Sequence, residues 1–168
     1  MKKGFTMIEL IFVIVILGIL ASVAGPRLAG TKADAEISAA VANLRTLVSD
    51  ANIYLVAKGE FPASTTKWSE ITNVPLASAA DTAPTSDANL KVGKDSDCIK
   101  VKMVNKDANK PAHIVFTPKN NPTGVCDEVL KSASVKAYLD SKVSYTEKGA
   151  SKTINSAMPI GSSIKLER

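Results

Sequence analysis

The sequence predicts an α+β protein in which a long N-terminal α-helix, with a membrane half and an amphipathic half, packs on a small antiparallel β-sheet head. Three patterns lead to this prediction. Residues 5–24 form an apolar run whose only charged side chain is Glu9. Apolar residues then recur at helical spacing over residues 37–55. Beyond Cys98 the pattern changes to the alternation that is typical of strands.

The apolar run is long enough to cross a bilayer. Its twenty residues would cover about 30 Å as a helix, which is the thickness of the hydrocarbon core. Lys2 and Lys3 precede it, so the positive-inside tendency places the N-terminus in the cytoplasm. Everything after about Gly25 is therefore expected to be exported.

Composition limits what the exported part can be. With 168 residues in all, the chain has room for one small domain beyond the membrane segment. Removing Lys2 and Lys3, each contributing +1, lowers the formal net charge from +5 to +3. Basic residues alternate with acidic ones and aromatic residues are few, so the sequence predicts no direct nucleic-acid binding.

The two cysteines, Cys98 and Cys126, both lie in the part that is expected to be exported. An oxidising compartment lets thiols pair, and two cysteines allow one connectivity. We therefore expect a disulfide, whereas two buried free thiols would be typical of a cytosolic protein.

A secretory signal peptide is the competing interpretation of the N-terminus. Ser22, Val23 and Ala24 offer a small-residue cleavage site, and cleavage after Ala24 would release a soluble periplasmic or secreted binding protein. Two features oppose this interpretation. The apolar run exceeds the usual 7 to 15 residues, and Glu9 within it costs about 2.5 to 3.5 kcal/mol on insertion scales.

The string Lys-Lys-Gly-Phe-Thr-Met-Ile-Glu-Leu at residues 2–10 resembles the prepilin signal of type IV pilins and type II secretion pseudopilins. The resemblance implies that a prepilin peptidase cuts between Gly4 and Phe5 and methylates the new amino group of Phe5. It also implies that Glu9 meets the Phe5 amine of a neighbouring subunit during assembly. Each group is costly alone in lipid, and pairing would neutralise both.

The same resemblance implies a structural role and not an enzyme. The expected partners are copies of the chain or related pilins, the prepilin peptidase, and an assembly platform with a cytoplasmic ATPase. The chain would be a single-pass protein of the bacterial inner membrane before assembly, and part of a periplasmic or cell-surface filament afterwards. The implied segments are a leader at residues 1–4, a transmembrane and filament-core helix at 5–25, the amphipathic half at 26–59, and the head at 60–168.

The sequence leaves the kind of filament open. Residues 59–62, Gly-Glu-Phe-Pro, resemble the turn that follows the long helix in major pseudopilins, which favours a secretion pseudopilus. The predicted disulfide is commoner in pilins and favours a pilus.

Small residues mark one side of the membrane half. Gly18, Ala21, Ser22 and Gly25 recur at helical spacing, so they predict a face on which helices approach closely. Pro26 follows and removes a backbone donor. We expect a kink or weak point there, which the family resemblance identifies as a site of melting in filaments.

The amphipathic half is predicted to end near Gly59, a plausible C-cap, with Pro62 preventing continuation. Residues 60–97 are expected to form a long loop with one short helix near Trp68, whose ring anchors the loop on the core. The apolar stripe of the helix comprises Ile37, Val41, Leu44, Val48, Ala51 and Leu55.

In the rest of the head, residues 98–104 and 112–117 predict a hairpin, and residues 127–142 a helix. Residues 143–146 and 163–166 are candidate strands.

No pattern predicts catalysis, a cofactor or a metal site. His113 is the single histidine and is expected to be structural. Asp95, Asp97 and Asp107 lack the spacing and glycine of a calcium loop.

Overall fold

In this computed structural model, the described residues are 6–62, 67–78 and 82–161, and for residues 26–29 and 78 the backbone alone is described. The chain forms two compact units, Met1–Ala35 and Glu36–Arg168. The predicted fold class is confirmed, since a long N-terminal helix and an antiparallel sheet are both present. The helices are α1 (Met7–Lys58), α2 (Trp68–Ile71), α3 (Val125–Lys131) and α4 (Ala133–Leu139). The strands are β1 (Leu76–Ser78), β2 (Ala88–Val92), β3 (Asp95–Val104), β4 (His113–Pro118), β5 (Lys142–Glu147), β6 (Ala150–Asn155) and β7 (Ala157–Pro159).

Helix α1 is 52 residues long and ends where the sequence predicts. Gly59 adopts φ +86°, a left-handed conformation that glycine reaches without a steric penalty. Its N–H donates to the carbonyl oxygen of Leu55 at 2.8 Å. This is the single-bond glycine cap that satisfies a carbonyl at the helix end.

Within the second unit, one side of α1 packs in the hydrophobic core. Leu44, Leu47 and Ala51 are fully buried there, in the same cluster as Ile99 and Ile114 of the sheet. The predicted stripe is correct, but it omits Leu47 and Ala40. Both are buried because the head core covers a wider face of the helix than the residues of the predicted stripe occupy.

The core sheet has five strands in the order β1-β2-β3-β4-β7, and every neighbouring pair is antiparallel. The predicted hairpin is confirmed as β3 and β4, with Ile99 opposite Pro118 and Val104 opposite His113. Strand β3 starts earlier than predicted, at Asp95. Strands β5 and β6 form a separate hairpin.

The prediction of a long loop over residues 60–97 is wrong. Strands β1 and β2 lie within this segment, and β2 pairs with β3 in the sheet. Alternate residues of β2 are buried, but the surrounding Ala, Ser, Thr and Asp residues obscure the alternation in the sequence. The prediction for Trp68 is confirmed, because its ring is fully buried and its Nε1–H donates to the carbonyl oxygen of Ser86 at 3.4 Å.

The single helix predicted at residues 127–142 is also wrong. The chain leaves helical geometry at Ser132, whose hydroxyl accepts from the N–H of Val135 at 3.4 Å and so caps α4. Strand β5 is confirmed, whereas β6 and β7 were not predicted. Lys148 and Gly149 join β5 to β6 with φ +51° and +79°, the conformations of a type I′ hairpin turn. The candidate strand at 163–166 lies outside the described residues.

Candidate functional site

Glu9, the single acidic residue of the apolar run, lies at the N-terminal end of α1. Thr6 N–H and Thr6 Oγ1 both donate to Glu9 Oε2 at 2.8 Å, and Glu9 N–H approaches Thr6 Oγ1 at 3.4 Å. This is a capping box, in which the N-cap and the residue three positions later satisfy each other's free donors. Glu9 therefore has hydrogen-bond partners within its own chain.

Thr6 is a site residue that the sequence reasoning missed. The Thr-Met-Ile-Glu string at residues 6–9 matches the S/T-x-x-E signal of a capping box, which could have identified it. The predicted cleavage residues Gly4 and Phe5 lie outside the described residues, so the expected pairing of Phe5 with Glu9 stays a prediction.

The apolar half of α1 has no cover among the described residues. Its large side chains from Met7 to Val23 are between 41% and 77% exposed. The helix is long and apolar enough to cross a membrane, although a signal sequence would pass the same criterion. An uncovered apolar surface of this size is typical of a segment that functions in lipid or against other helices.

The small-residue face lies on this uncovered surface. Gly18, Ala21, Ser22 and Gly25 are all exposed. A methyl group added at Gly18 or Gly25 would have no heavy atom within 4 Å apart from the helix's own adjacent backbone. The Ser22 hydroxyl donates to the carbonyl oxygen of Ile19 at 2.8 Å, so its polar atom is already satisfied. The face is therefore open and locally apolar.

Helix α1 continues through Pro26. The predicted weak point concerns the assembled state and stays a prediction.

The predicted disulfide is present in the head. Cys98 on β3 and Cys126 on α3 are joined with an S–S distance of 2.06 Å and a Cα–Cα distance of 5.6 Å. Both residues are buried. The bond fixes the start of α3 to the sheet across 28 residues of sequence.

The turn after α1 is held by Asn105, which directly follows strand β3 and is 44 residues away in sequence from Phe61. Phe61 N–H donates to Asn105 Oδ1 at 2.6 Å, and Asn105 Nδ2 donates to the Phe61 carbonyl oxygen at 2.6 Å. The buried Phe61 ring stacks on Tyr54 at a centroid distance of 5.9 Å. The turn at residues 59–62 is thus anchored to both the helix and the sheet.

Two of the three aspartates that the sequence analysis considered for calcium bind a lysine instead. Lys119 Nζ lies 3.1 Å from both oxygens of Asp95 and 2.7 Å from Asp97 Oδ1. Asp107 lies apart from them and accepts from the N–H of Asn109 at 3.2 Å. The ammonium group offsets one of the two negative charges and occupies oxygens of both carboxylates, which weakens the attraction of the pair for a divalent ion.

This cluster gives a pH dependence. Hydrogen bonding with Asp97, and then with Lys119, lowers the pKa of Asp95, while hydrogen bonds to Asp97 and Asp95 raise the pKa of Lys119. The contribution of a carboxyl whose folded pKa is lowered is present above its ordinary pKa and is lost as the pH falls below about 4. The contribution of Lys119 is present below its ordinary pKa and is lost in strong alkali.

We therefore expect the Lys119→Gln variant to melt a few degrees below the wild type at pH 7, and this difference to shrink as the pH is lowered towards 3. Fluorescence of the buried Trp68, the only tryptophan, follows unfolding of the head. Lys131→Gln, which removes an exposed bridge to Asp127 of 2.7 Å, is the matched control and should show a smaller pH-dependent difference. A difference for Lys119→Gln that stays constant from pH 7 to pH 3 would contradict the assignment.

His113 is buried on β4, and its Nδ1 lies 2.8 Å from the carbonyl oxygen of Pro111. Among the described residues there is no group of three or more His, Cys, Asp or Glu residues that could hold a metal ion.

Comparison with known proteins agrees with the N-terminal geometry. Residues 1–25 match the family model for the prokaryotic N-terminal methylation motif. The chain is 38% identical over 63 residues to the type II secretion system core protein G of Dickeya chrysanthemi, covering 38% of this chain and 41% of that protein. It is 36% identical over 76 residues to the core protein G of Aeromonas hydrophila, covering 45% and 53%.

A fimbrial protein of Neisseria meningitidis serogroup A is 41% identical over 66 residues, or 39% of each chain. The matches thus span less than two thirds of each relative's length. No solved structure matches the chain significantly. The names of these relatives denote a core protein of a secretion system and a fimbrial protein, and neither name denotes an enzymatic activity. The chain therefore carries a prepilin-type methylation motif and is related by sequence to secretion-system core proteins G and to fimbrial proteins, as its resemblance to type IV pilins and pseudopilins predicts.

Proposed function

We propose that the chain is a structural subunit of a type IV pilus-like or type II secretion pseudopilus filament, assembled from the inner membrane through α1. The observation that carries the proposal is the exposed apolar half of α1, which has one capped carboxylate at its start and the methylation motif in its sequence. A soluble binding protein would not need a hydrogen-bonded carboxylate inside an apolar run. A helix that must leave lipid and pack against copies of itself would need such a group.

The first step is processing. A prepilin peptidase would cut between Gly4 and Phe5 and methylate the new amine of Phe5. The cut would leave Thr6 as the second residue of the mature chain and Glu9 as the fifth, so the capping box would lie beside the new amine. In the single subunit, Thr6 would hold the Glu9 carboxylate at the helix start.

The second step is assembly. The Phe5 amine of one subunit would bind the Glu9 carboxylate of its neighbour. Each charged group alone in lipid costs free energy, and pairing the two opposite charges lowers that cost. The pairing also fixes the register of the two helices. The face of Gly18, Ala21, Ser22 and Gly25 would then allow the helix backbones to approach closely.

Pro26 is proposed as the point where α1 melts when the subunit enters the filament. Proline cannot donate the backbone hydrogen bond that its neighbours make, so the helix is weakest there. Extension at this point would let the apolar half and the head adjust separately to their neighbours.

The proposed partners are copies of this chain or related pilins, the prepilin peptidase, and an assembly platform driven by a cytoplasmic ATPase. Before assembly the chain would cross the inner membrane once, with its N-terminus in the cytoplasm. Afterwards it would lie in a periplasmic or cell-surface filament. Core proteins G and fimbrial proteins match over similar lengths, so both kinds of filament remain candidates. Probing sheared-cell fractions would separate a surface filament from a short periplasmic one.

The mature N-terminus tests the proposal directly. We expect mass spectrometry of the chain from its native membrane to show an N-terminal Phe5 that carries a methyl group. Cells without the prepilin peptidase are the control, and their chain should retain residues 1–4. A mature chain that begins at Gly25 would instead establish cleavage after Ala24 and a soluble protein.

A further inference from the structure

The C-terminal end of α1 borders an open pocket of about 900 Å³ within the second unit, which we call the α1 end pocket. Three parts of the head surround it. They are the end of α1 at Leu55 and Val56, the loop of residues 106–112 between β3 and β4, and residues 144–146 of β5. Gly161, the last described residue, lies in the wall of this pocket.

Part of the pocket wall is an uncovered apolar surface. Val56 is 71% exposed, and Ile53, three residues earlier on the same side of the helix, is 65% exposed. Among the described residues from 36 onwards, these two are the only large hydrophobic side chains that are exposed. The core of the head therefore leaves one apolar strip of α1 in contact with water at this place.

Strand β5 presents an unpaired edge to the same pocket. Its only partner among the described strands is β6. Successive side chains of a strand point to opposite faces, so a pocket that is lined by three consecutive residues meets β5 at its edge. The two-residue turn pairs Glu147 with Ala150, and by alternation the N–H groups of Ser144 and Thr146 lie on the edge away from β6. Such an edge is a template for another extended segment of polypeptide.

The chain leaves the described part of the head at this pocket. Gly161 N–H donates to Asn52 Oδ1 at 2.8 Å. Gly161 has φ +79°, and a methyl group on its Cα would lie 2.8 Å from Leu55 Cδ2, so the backbone approaches α1 closely. The start of residues 162–168 is therefore fixed against α1, within about one helical turn of Val56.

We propose that residues 162–168 occupy the α1 end pocket of their own chain, with Ile164 and Leu166 on the apolar strip of α1 and the backbone along the free edge of β5. This contact lies within the second unit and does not depend on the proposed filament function. It would remove from water the apolar side chains that the described core leaves exposed.

The pattern of the segment fits this place. In an extended chain, alternate side chains share a side, so Ile164 and Leu166 would face the pocket while Ser163 and Lys165 face water. The same alternation predicts the candidate strand at residues 163–166.

Reach and tethering favour this occupant over a separate molecule. Extended at about 3.3 Å per residue, residues 162–168 span about 23 Å, which is enough to cross the pocket from Gly161. Because Gly161 holds the segment at the pocket, its effective concentration there is on the order of millimolar. A second copy or a free peptide would have to compete with that concentration.

Thiol labelling tests the side-chain contact. Cys98 and Cys126 are paired, so Val56→Cys introduces the only free thiol of the full-length chain. In detergent, a maleimide should label this thiol about tenfold more slowly with the wild-type segment than with Ile164→Asp and Leu166→Asp together, because carboxylates would be desolvated in the pocket. Equal labelling rates in the two backgrounds would overturn the proposal.

Matched controls define the side of the segment and the chain that supplies it. Ser163→Asp with Lys165→Asp adds carboxylates to the opposite side and should leave the Val56→Cys thiol protected. Ser151→Cys, at an exposed position on β6, should label at one rate in every background, and Trp68 fluorescence should show that each head is folded. Protection of the Val56→Cys thiol that disappears on dilution would show that a second copy supplies the segment, and would overturn the assignment to the same chain.

Amide hydrogen exchange tests the backbone contact. In the full-length wild type, the N–H groups of Ser144 and Thr146 should exchange about tenfold more slowly than in the Ile164→Asp and Leu166→Asp double variant. Tyr145 N–H, which by the same alternation pairs with β6, is the internal control and should exchange equally in both chains. Exchange of Ser144 and Thr146 at the same rate in both chains would overturn the pairing with β5.

Discussion

Replacing Glu9 with alanine is expected to leave membrane insertion intact, or to favour it, and to reduce filament yield at least tenfold when the variant is the only copy. Removing the acid removes an insertion cost of about 2.5 to 3.5 kcal/mol. It also removes the proposed partner of the Phe5 amine of the neighbouring subunit. Membrane fractionation and electron microscopy of sheared material measure the two effects separately. Co-expressed with the wild type, Glu9→Ala should lower the yield as well.

Glu9→Gln separates the charge from the cap. Glutamine can accept the same hydrogen bond in a capping box, so the bond from Thr6 N–H, 2.8 Å long in the wild type, can persist. The negative charge is lost, because glutamine is neutral. We expect Glu9→Gln to assemble as poorly as Glu9→Ala, since the pairing between subunits depends on charge.

Wild-type assembly of Glu9→Ala by itself would count decisively against the charge pair. Recovery by Glu9→Gln alone would show instead that capping the helix is the role of Glu9.

Removing the disulfide is expected to have the largest effect on stability. The bond closes a loop between residues 28 positions apart, for which the chain-entropy model gives about 3 to 4 kcal/mol. For a domain of this size, the Cys98→Ala and Cys126→Ala double variant should melt about 10 to 20 °C below the wild type. Trp68 fluorescence of the full-length chain in detergent reports this transition, because Trp68 is buried in the head core.

A reductant provides the internal control for this experiment. It should lower the melting temperature of the wild type towards that of the double variant and leave the double variant unchanged. Equal melting temperatures for the oxidised wild type and the double variant would contradict a stabilising role for the bond.

Local patterns in the sequence determine much of this protein. The apolar run with Glu9, the glycine cap at Gly59 and the β3–β4 hairpin all depend on residues within a few turns of helix or one hairpin of each other. Their signals are periodicity and turn chemistry, which a single stretch of sequence contains in full. The disulfide also follows from sequence, since Cys98 and Cys126 can pair only with each other within the chain.

Other features depend on pairing across long separations, and only the tertiary structure decides them. Strand β2 lies in a segment of loop-like composition and becomes a strand because β3 and β1 supply its hydrogen bonds. Asn105 holds Phe61 across 44 residues, and Lys119 reaches Asp95 across 24. In both pairs, the sequence around one residue does not indicate which residue is its partner.

An open groove between α1 and α4, lined in part by Val48, Tyr138 and Met158, belongs to the same class. Its lining comes from three elements that are far apart in sequence, so no window of the chain contains its pattern. The sequence determined the helix that would assemble, because the chemistry of that segment is local. The tertiary structure decided which faces of the head stay uncovered, because exposure depends on what the rest of the chain packs against.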